Sequence, residues 1–189
     1  MPDTVIRNAT IIDGTGAPRF VGDVSIEDGH IAEIGEISSS VVDLEVDATD
    51  LVLAPGFVDV HTHDDGALVQ HPDMTFKVSQ GCTSVVVGNC GFSAIPAITG
   101  ESTLDLSGVE ASWSDLDGYR DAVEGSNPAV NAMMLVGHNT IRTLEMKGER
   151  GAPNDRQLSR MQEHVELAMQ QGACGFSTGL IYRPGRWAD

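Results

Sequence analysis

Two histidines one residue apart, His61 and His63, stand at the end of a short apolar run, Phe57-Val58-Asp59-Val60, which Pro55 and Gly56 introduce. A run of this length after a turn signal reads as a buried strand. Side chains alternate faces along a strand, so residues two apart project the same way. His61 and His63 can therefore offer two imidazoles to one metal ion. Imidazole suits zinc and its neighbours in the first transition row. Two histidines make an incomplete site, and the other ligands must come from other elements.

Those elements follow in a regular order. Residues 83–87 read as a second, β-branched strand ending at Gly88-Asn89-Cys90-Gly91. Residues 130–136 read as a third, ending at Gly137-His138, and residues 173–179 as a fourth, leading into Tyr182 and Arg183. Helical patterns lie between them: residues 72–80 with Gly81 as the stop, and residues 113–124 closed by Gly125. The clearest begins at Asn154, which makes a capping-box pattern with Gln157. It carries Leu158, Met161, Val165, Ala168 and Met169 on one face and stops at Gly172. Residues 92–112 and 139–153 read as loops.

Strands alternating with helices signal an α/β fold with a parallel sheet. His61, His63, Cys90 and His138 then all follow the C-terminal ends of strands, the edge on which α/β barrels build their active sites. A glycine-flanked Cys90 ending the strand next to His-x-His makes that coincidence stronger than a lone His-x-His. Asp64 and Asp65 are candidates to hydrogen-bond the two histidines, as carboxylates behind a metal site do, or one of them is loop structure. His138 either faces a substrate or ligand shell at that edge or simply packs in its loop, and Tyr182 and Arg183 after the fourth strand are candidates to face a substrate. Cys82 and Cys174 sit at strand starts, at the opposite end, and read as small buried side chains. His30 and His164 read as surface residues.

Residues 1–53 look different. Candidate strands at 5–9, 10–12, 23–27, 30–34 and 41–46 surround an Asp28-Gly29 pair, a strong two-residue hairpin signal. They read as part of a β-sandwich beside a main domain at 54–189.

Composition narrows the class. The chain has 189 residues, 41% of them hydrophobic, as in soluble globular proteins. No run approaches the ~20 apolar residues of a membrane span, and the N-terminus shows no basic-then-apolar signal pattern. Three cysteines without a CxxC pair point to reduced thiols in a cytoplasm. A net charge of −17 with two lysines, Lys77 and Lys147, argues against nucleic acid, which needs clustered Lys and Arg.

The segment Ala54-Pro55-Gly56-Phe57-Val58-Asp59-Val60-His61-Thr62-His63-Asp64-Asp65 resembles the metal-binding first strand of the amidohydrolase superfamily. The run from Lys77 through Gly81-Cys82-Thr83 to Gly88-Asn89-Cys90-Gly91 is similar to the N-acyl-D-amino-acid deacylase (D-aminoacylase) branch. So are Val136-Gly137-His138-Asn139-Thr140-Ile141-Arg142 and the run from Gly175-Phe176-Ser177 to Tyr182-Arg183-Pro184-Gly185.

The resemblance implies a (β/α)₈ TIM barrel with a β-sandwich, and His61, His63 and Cys90 as ligands of one or two Zn²⁺ ions. It also implies hydrolysis of a small N-acyl-D-amino acid to a carboxylate and a D-amino acid. A barrel takes ~250 residues, so the chain is expected to hold a partial barrel of about four strands. Two further histidine ligands and a general-base aspartate are expected beyond Asp189, and the chain alone is expected to be inactive. Two other readings are a cyclic amidohydrolase, dihydroorotase- or hydantoinase-like, and a non-catalytic barrel relative. Against the first, such enzymes bridge two metals through a carboxylated lysine, and no lysine ends a strand here. The intact His-x-His weighs against the second.

The acidic balance is either a plain soluble surface or an adaptation to high salt, where a strongly charged surface resists association. Adaptation requires thermal stability to rise with KCl, so an optimum at low salt in a melting series removes it.

Overall fold

The computed structural model describes residues 2–38, 42–98, 111 and 113–188. The chain divides into two compact units, Met1–Pro55 and Gly56–Asp189.

The first unit is a five-stranded mixed sheet. It contains β1 (Thr4–Ile11), β2 (Phe20–Glu27), β3 (His30–Gly35), β4 (Leu44–Asp47) and β5 (Val52–Leu53). The order is β3-β2-β1-β4, with β5 also on β1. β1 runs antiparallel to β2 and parallel to β4 and β5. Asp28 (φ 51°) and Gly29 (φ 73°) both take positive φ, as a tight hairpin turn demands, and Glu27 faces His30 across it. The two short strands expected at 5–9 and 10–12 are one, β1, with a bulge. Its register shifts between Ile6 and Ala9, where Asn8 (φ 59°) turns its N–H to the Asp23 carboxylate. Ala9, Ile11, Val24 and Ala48 form the unit's core. His30 is exposed, as expected.

The second unit is built on a parallel sheet, β6 (Phe57–Asp59), β7 (Cys82–Val87), β8 (Asn131–Gly137) and β9 (Gly175–Ser177), in that order. Among the described residues five α-helices accompany it: α1 (Ala67–Gln70), α2 (Thr75–Val78), α3 (Leu116–Ser126), α4 (His138–Met146) and α5 (Asp155–Gln170). The α/β class and the parallel sheet are as expected. Val85, Val87, Val136 and Leu68 are fully buried in the core, with Met74, Met134, Trp113 and Tyr119 packed around them. Burial of one such aliphatic side chain is worth about 1.5–3 kcal/mol. No helix among the described residues is long and apolar enough to cross a membrane.

Several local expectations need correction. β6 is not buried: Phe57 is 65% exposed and Val58 50%, because the strand pairs with β7 alone. The helix expected at 72–80 shrinks to α2, since Met74 adopts a left-handed backbone (φ 41°) while its side chain is fully buried. α3 starts at Leu116 because the Asp115 side chain accepts the Gly118 N–H, and it ends at left-handed Asn127 instead of Gly125.

Residues 139–153, expected as loop, contain helix α4. Its polar residues Asn139, Thr140 and Arg142 are buried and bonded to neighbouring elements, which a helical hydrophobic pattern does not reveal. Most of the loop expected at 92–112 lies outside the described residues. Cys174 is exposed and Cys82 half-buried, neither fully buried, since Cys174 directly precedes the edge strand β9. His164 is also only half-buried, bonded to Glu145 at 2.8 Å.

α5 is as expected. Asn154 Oδ1 accepts the Gln157 N–H at 2.9 Å, and Gln157 Oε1 accepts the Asn154 N–H at 3.0 Å. Met161 and Ala168 are buried, whereas Leu158 and Met169 remain exposed. Asn154→Ala removes the side-chain acceptor of the Gln157 N–H while keeping the backbone N–H that donates to Gln157, and it is expected to cost about 1 kcal/mol in urea unfolding, with Asn154→Ser losing far less.

Candidate metal centre

The chemistry expected of β6 depends on how its end is anchored. Thr62, between the two histidines, is 4% exposed; its N–H and hydroxyl both donate to the Val86 carbonyl, at 3.2 and 3.3 Å. Pulling Thr62 inward onto β7 turns His61 and His63 outward together, and both are exposed. Their rings lie 5.9 Å apart, edge to face.

Cys90 follows β7 in a 3-10 turn, Asn89–Gly91, and its backbone is left-handed (φ 56°, ψ 21°). For a non-glycine residue that conformation costs roughly 1–2 kcal/mol, and here it carries Sγ to 3.2 Å from His61 Nε2. One ligand atom each from His61, His63 and Cys90 lies within 4.8 Å of the others. With zinc–sulfur and zinc–nitrogen bonds of about 2.3 and 2.0 Å, a tetrahedral ion sets its donors about 3.5 Å apart. The His61–Cys90 separation of 3.2 Å is close to that value and the three donors lie within 4.8 Å of one another, so two imidazoles and a thiol suit zinc in donor type and are near enough to share an ion.

The flanking charges hold the strand end. Lys77, just after the start of α2, places Nζ 2.8 Å from Asp59 and 3.0 Å from Asp64, one carboxylate on each side of the His-x-His. Asp59 Oδ1 also accepts the His61 N–H at 3.3 Å. The Lys77 ammonium, then that N–H, hold the Asp59 carboxyl below the usual carboxylate range. Burial pulls on Lys77 in the opposite sense, but its bonds to Asp59 and Asp64 win and its pKa is raised.

Asp65 is fully buried. Burial pushes its carboxyl up to about 6, against two N–H groups that favour the charge, from Gly88 at 3.3 Å and Ala94 at 3.1 Å. Neither Asp64 nor Asp65 is bonded to an imidazole among the described residues; one pairs with Lys77, the other with the backbone around Cys90.

The remaining candidates are not members of the three-donor group. His138 begins α4, half-buried against Phe176 at 6.1 Å; burial, then Arg142, lower its pKa, and Nδ1 has no partner among the described residues. Tyr182 is 48% exposed, with its ring 5.9 Å from Phe92. Arg183 stacks on Trp187 at 5.6 Å, and Arg150 stacks on the same ring at 4.7 Å. Sequence reading missed Lys77, Asp59, Asn89, Asn139 and Ser177. Only Lys77 carried a signal, as one of two lysines in an acid-rich chain.

Comparison with known proteins addresses the chain as a whole. Residues 44–184 match the profile of the amidohydrolase family. An N-acyl-D-glutamate deacylase of Alcaligenes xylosoxydans xylosoxydans is 41% identical over 190 residues, covering 99% of this chain and 39% of that protein. A crystal structure of N-acyl-D-glutamate deacylase from Bordetella bronchiseptica, complexed with zinc and a phosphonate inhibitor, superimposes with a TM-score of 0.92 at 43% identity. It covers 100% of this chain and 40% of its own. A D-aminoacylase structure described for its binuclear metal centre gives 0.92 at 37% identity, with 100% and 41% coverage. The chain thus spans about two fifths of the relatives it matches.

Lys77→Met tests the clamp. The contribution of Asp59 is present above its unfolded value of about 3.9 and is lost as pH falls through the lower folded one; that of Lys77 is present below about 10.4 and is lost as pH rises through its raised folded value. The difference in urea midpoint between parent and variant is therefore expected to be flat from about pH 5 to 9 and to close on both sides. A difference that widens in acid contradicts the pairing.

Proposed function

The chain belongs to the amidohydrolase family, and from that premise we propose that it supplies His61, His63 and Cys90 as zinc ligands of an N-acyl-D-amino-acid deacylase. In this reading a larger polypeptide hydrolyses a linear N-acyl-D-amino acid to a carboxylate and a D-amino acid. The observation that carries it is the meeting of two imidazoles and a thiol within 4.8 Å at the C-terminal edge of the sheet, in a chain about 40% identical to such deacylases.

The domain reading goes with it. Residues 1–53 form part of a β-sandwich, and residues 54–189 the first half of a (β/α)₈ barrel. The uncovered apolar residues support both: Val21, Ile31 and Val52 in the first unit, and Phe57, Val58 and Phe176 on β6 and β9. The further ligands and the proton-transferring carboxylate come from the portion of the relatives' length that this chain does not span.

Zinc bound here, as one ion or two, would lower the pKa of a bound water toward about 7 and polarise the amide carbonyl. The chain's own residues do the placing. Thr62 turns both imidazoles to one side, Lys77 braces the strand end between Asp59 and Asp64, and the left-handed turn brings Cys90 to His61. Tyr182 and Arg183, after β9, face the substrate carboxylate, and His138 lines the same edge.

A cyclic amidase with a carboxylated lysine finds no support in Lys77, which is committed to two carboxylates. The free thiols of Cys82, Cys90 and Cys174 suit a reducing cytoplasm.

The full-length gene product is expected to hydrolyse N-acetyl-D-amino acids, to lose activity to a chelator and to regain it with zinc. Partners outside the ligand shell already change affinity about 10–100-fold. Cys90→Ala combined with His61→Ala should therefore weaken zinc binding by at least about a hundredfold. Normal zinc binding by that double variant sinks the assignment, and zinc binding without turnover by the parent favours a non-catalytic relative.

A further inference from the structure

Cys90 is held in its unusual backbone conformation by side chains from three distant segments. Asp65, in the loop that also carries His63, accepts the Gly88 N–H at 3.3 Å and the Ala94 N–H at 3.1 Å, one on each side of the turn. Ser177, on β9, accepts the Gly91 N–H at 2.9 Å and donates its own hydroxyl to the Gly88 carbonyl, so one side chain spans the turn. Asn139, fully buried in α4, donates from Nδ2 to the Cys90 carbonyl at 3.0 Å and to the Gly179 carbonyl at 3.3 Å. Steric limits close the cage. A Cβ at Gly91 would lie 2.7 Å from Asn139 Nδ2, and one at Gly179 would collide with the Cys90 carbonyl.

We propose that Asp65, Asn139 and Ser177 are positioning residues for Cys90, setting its thiol beside His61 before any ion arrives. The proposal rests on Cys90 being a ligand. The turn itself needs less than this: β7 ends at Val87, and the Phe92 N–H already closes the 3-10 turn on the Asn89 carbonyl at 2.9 Å. Additional bonds fall on Gly88, Cys90, Gly91 and Ala94, and they come from the His63 loop, from β9 and from α4. A cage of this kind fixes the angle at which Sγ leaves the sheet, and that angle decides whether thiolate and imidazoles share one ion. Preset ligands lose less conformational freedom on binding, so affinity rises without a new metal contact.

The test is a cobalt(II) titration of the full-length gene product, followed by the thiolate-to-cobalt charge-transfer band and by competition with a chelator. Ser177→Ala is expected to weaken cobalt binding about tenfold or more and to reduce or shift the band per bound ion. Ser177→Thr keeps the hydroxyl and is expected to recover most of both. Asp65→Asn, which turns one of the two acceptors into a donor, is expected to act like Ser177→Ala. Ser25→Ala, at a buried serine of the first unit, should leave affinity and band unchanged.

Parent-like affinity and band in folded Ser177→Ala and Asp65→Asn overturn the positioning role and leave the zinc reading standing. If neither variant folds, the bonds serve the fold and the positioning role is equally overturned. A parent that binds cobalt without a thiolate band removes Cys90 as a ligand, and this proposal with it.

Discussion

The buried carboxylate of Asp65 is the tie on which the arrangement of the candidate metal-binding edge depends. Its two oxygens take N–H groups from either side of Cys90, while its own backbone continues the loop that carries His63. The imidazole of His61 and the thiol of Cys90 come from positions 29 residues apart, yet they lie within 3.2 Å. Without a bond between the two loops, small independent motions of each would separate the donors. Burial of the carboxylate is unfavourable enough to raise its pKa to about 6 despite two N–H partners. The Asp65 carbonyl is engaged as well, accepting the buried Tyr119 hydroxyl at 2.8 Å. Core and metal-binding edge therefore share one residue.

Charge works in the same direction. Most of the chain's carboxylates have no role at this edge, and the net charge of −17 favours cations in general. Such a field also repels acidic side chains from one another around a strand end that carries Asp59 and Asp64. Lys77 resolves that conflict by lying between them. Its position just after the start of α2 depends in turn on the left-handed, fully buried Met74, which sets where the short helix begins.

Parallel sheets are ordinarily covered on both faces, but this one leaves Phe57, Val58, Met133 and Phe176 substantially exposed. β6 and β9 have one strand neighbour each. Closure of the proposed barrel would pair those edges and cover the inward side chains, in keeping with a chain that spans about two fifths of its relatives.

The candidate metal ligands were legible because their signals are local. A two-residue alternation places His61 and His63 on one side, a glycine-flanked cysteine marks the next strand end, and Asn154 with Gln157 announces α5. Those patterns depend on neighbours within a few positions, and backbone geometry converts them directly into direction in space. Helix α4, the exposure of β6 and the left-handed Met74 followed no such rule. Each depends on which distant element is packed alongside, so burial of Asn139 and Arg142 overrode a polar, loop-like composition. The bonds around Cys90 are the extreme case. Ser177 and Gly88 are separated by 89 positions, and nothing in a serine on a short strand announces its partner. The chain of residues settled which side chains could hold a metal; the parallel stacking of β6, β7, β8 and β9 decided how they meet, because only folding turns separation along the chain into contact.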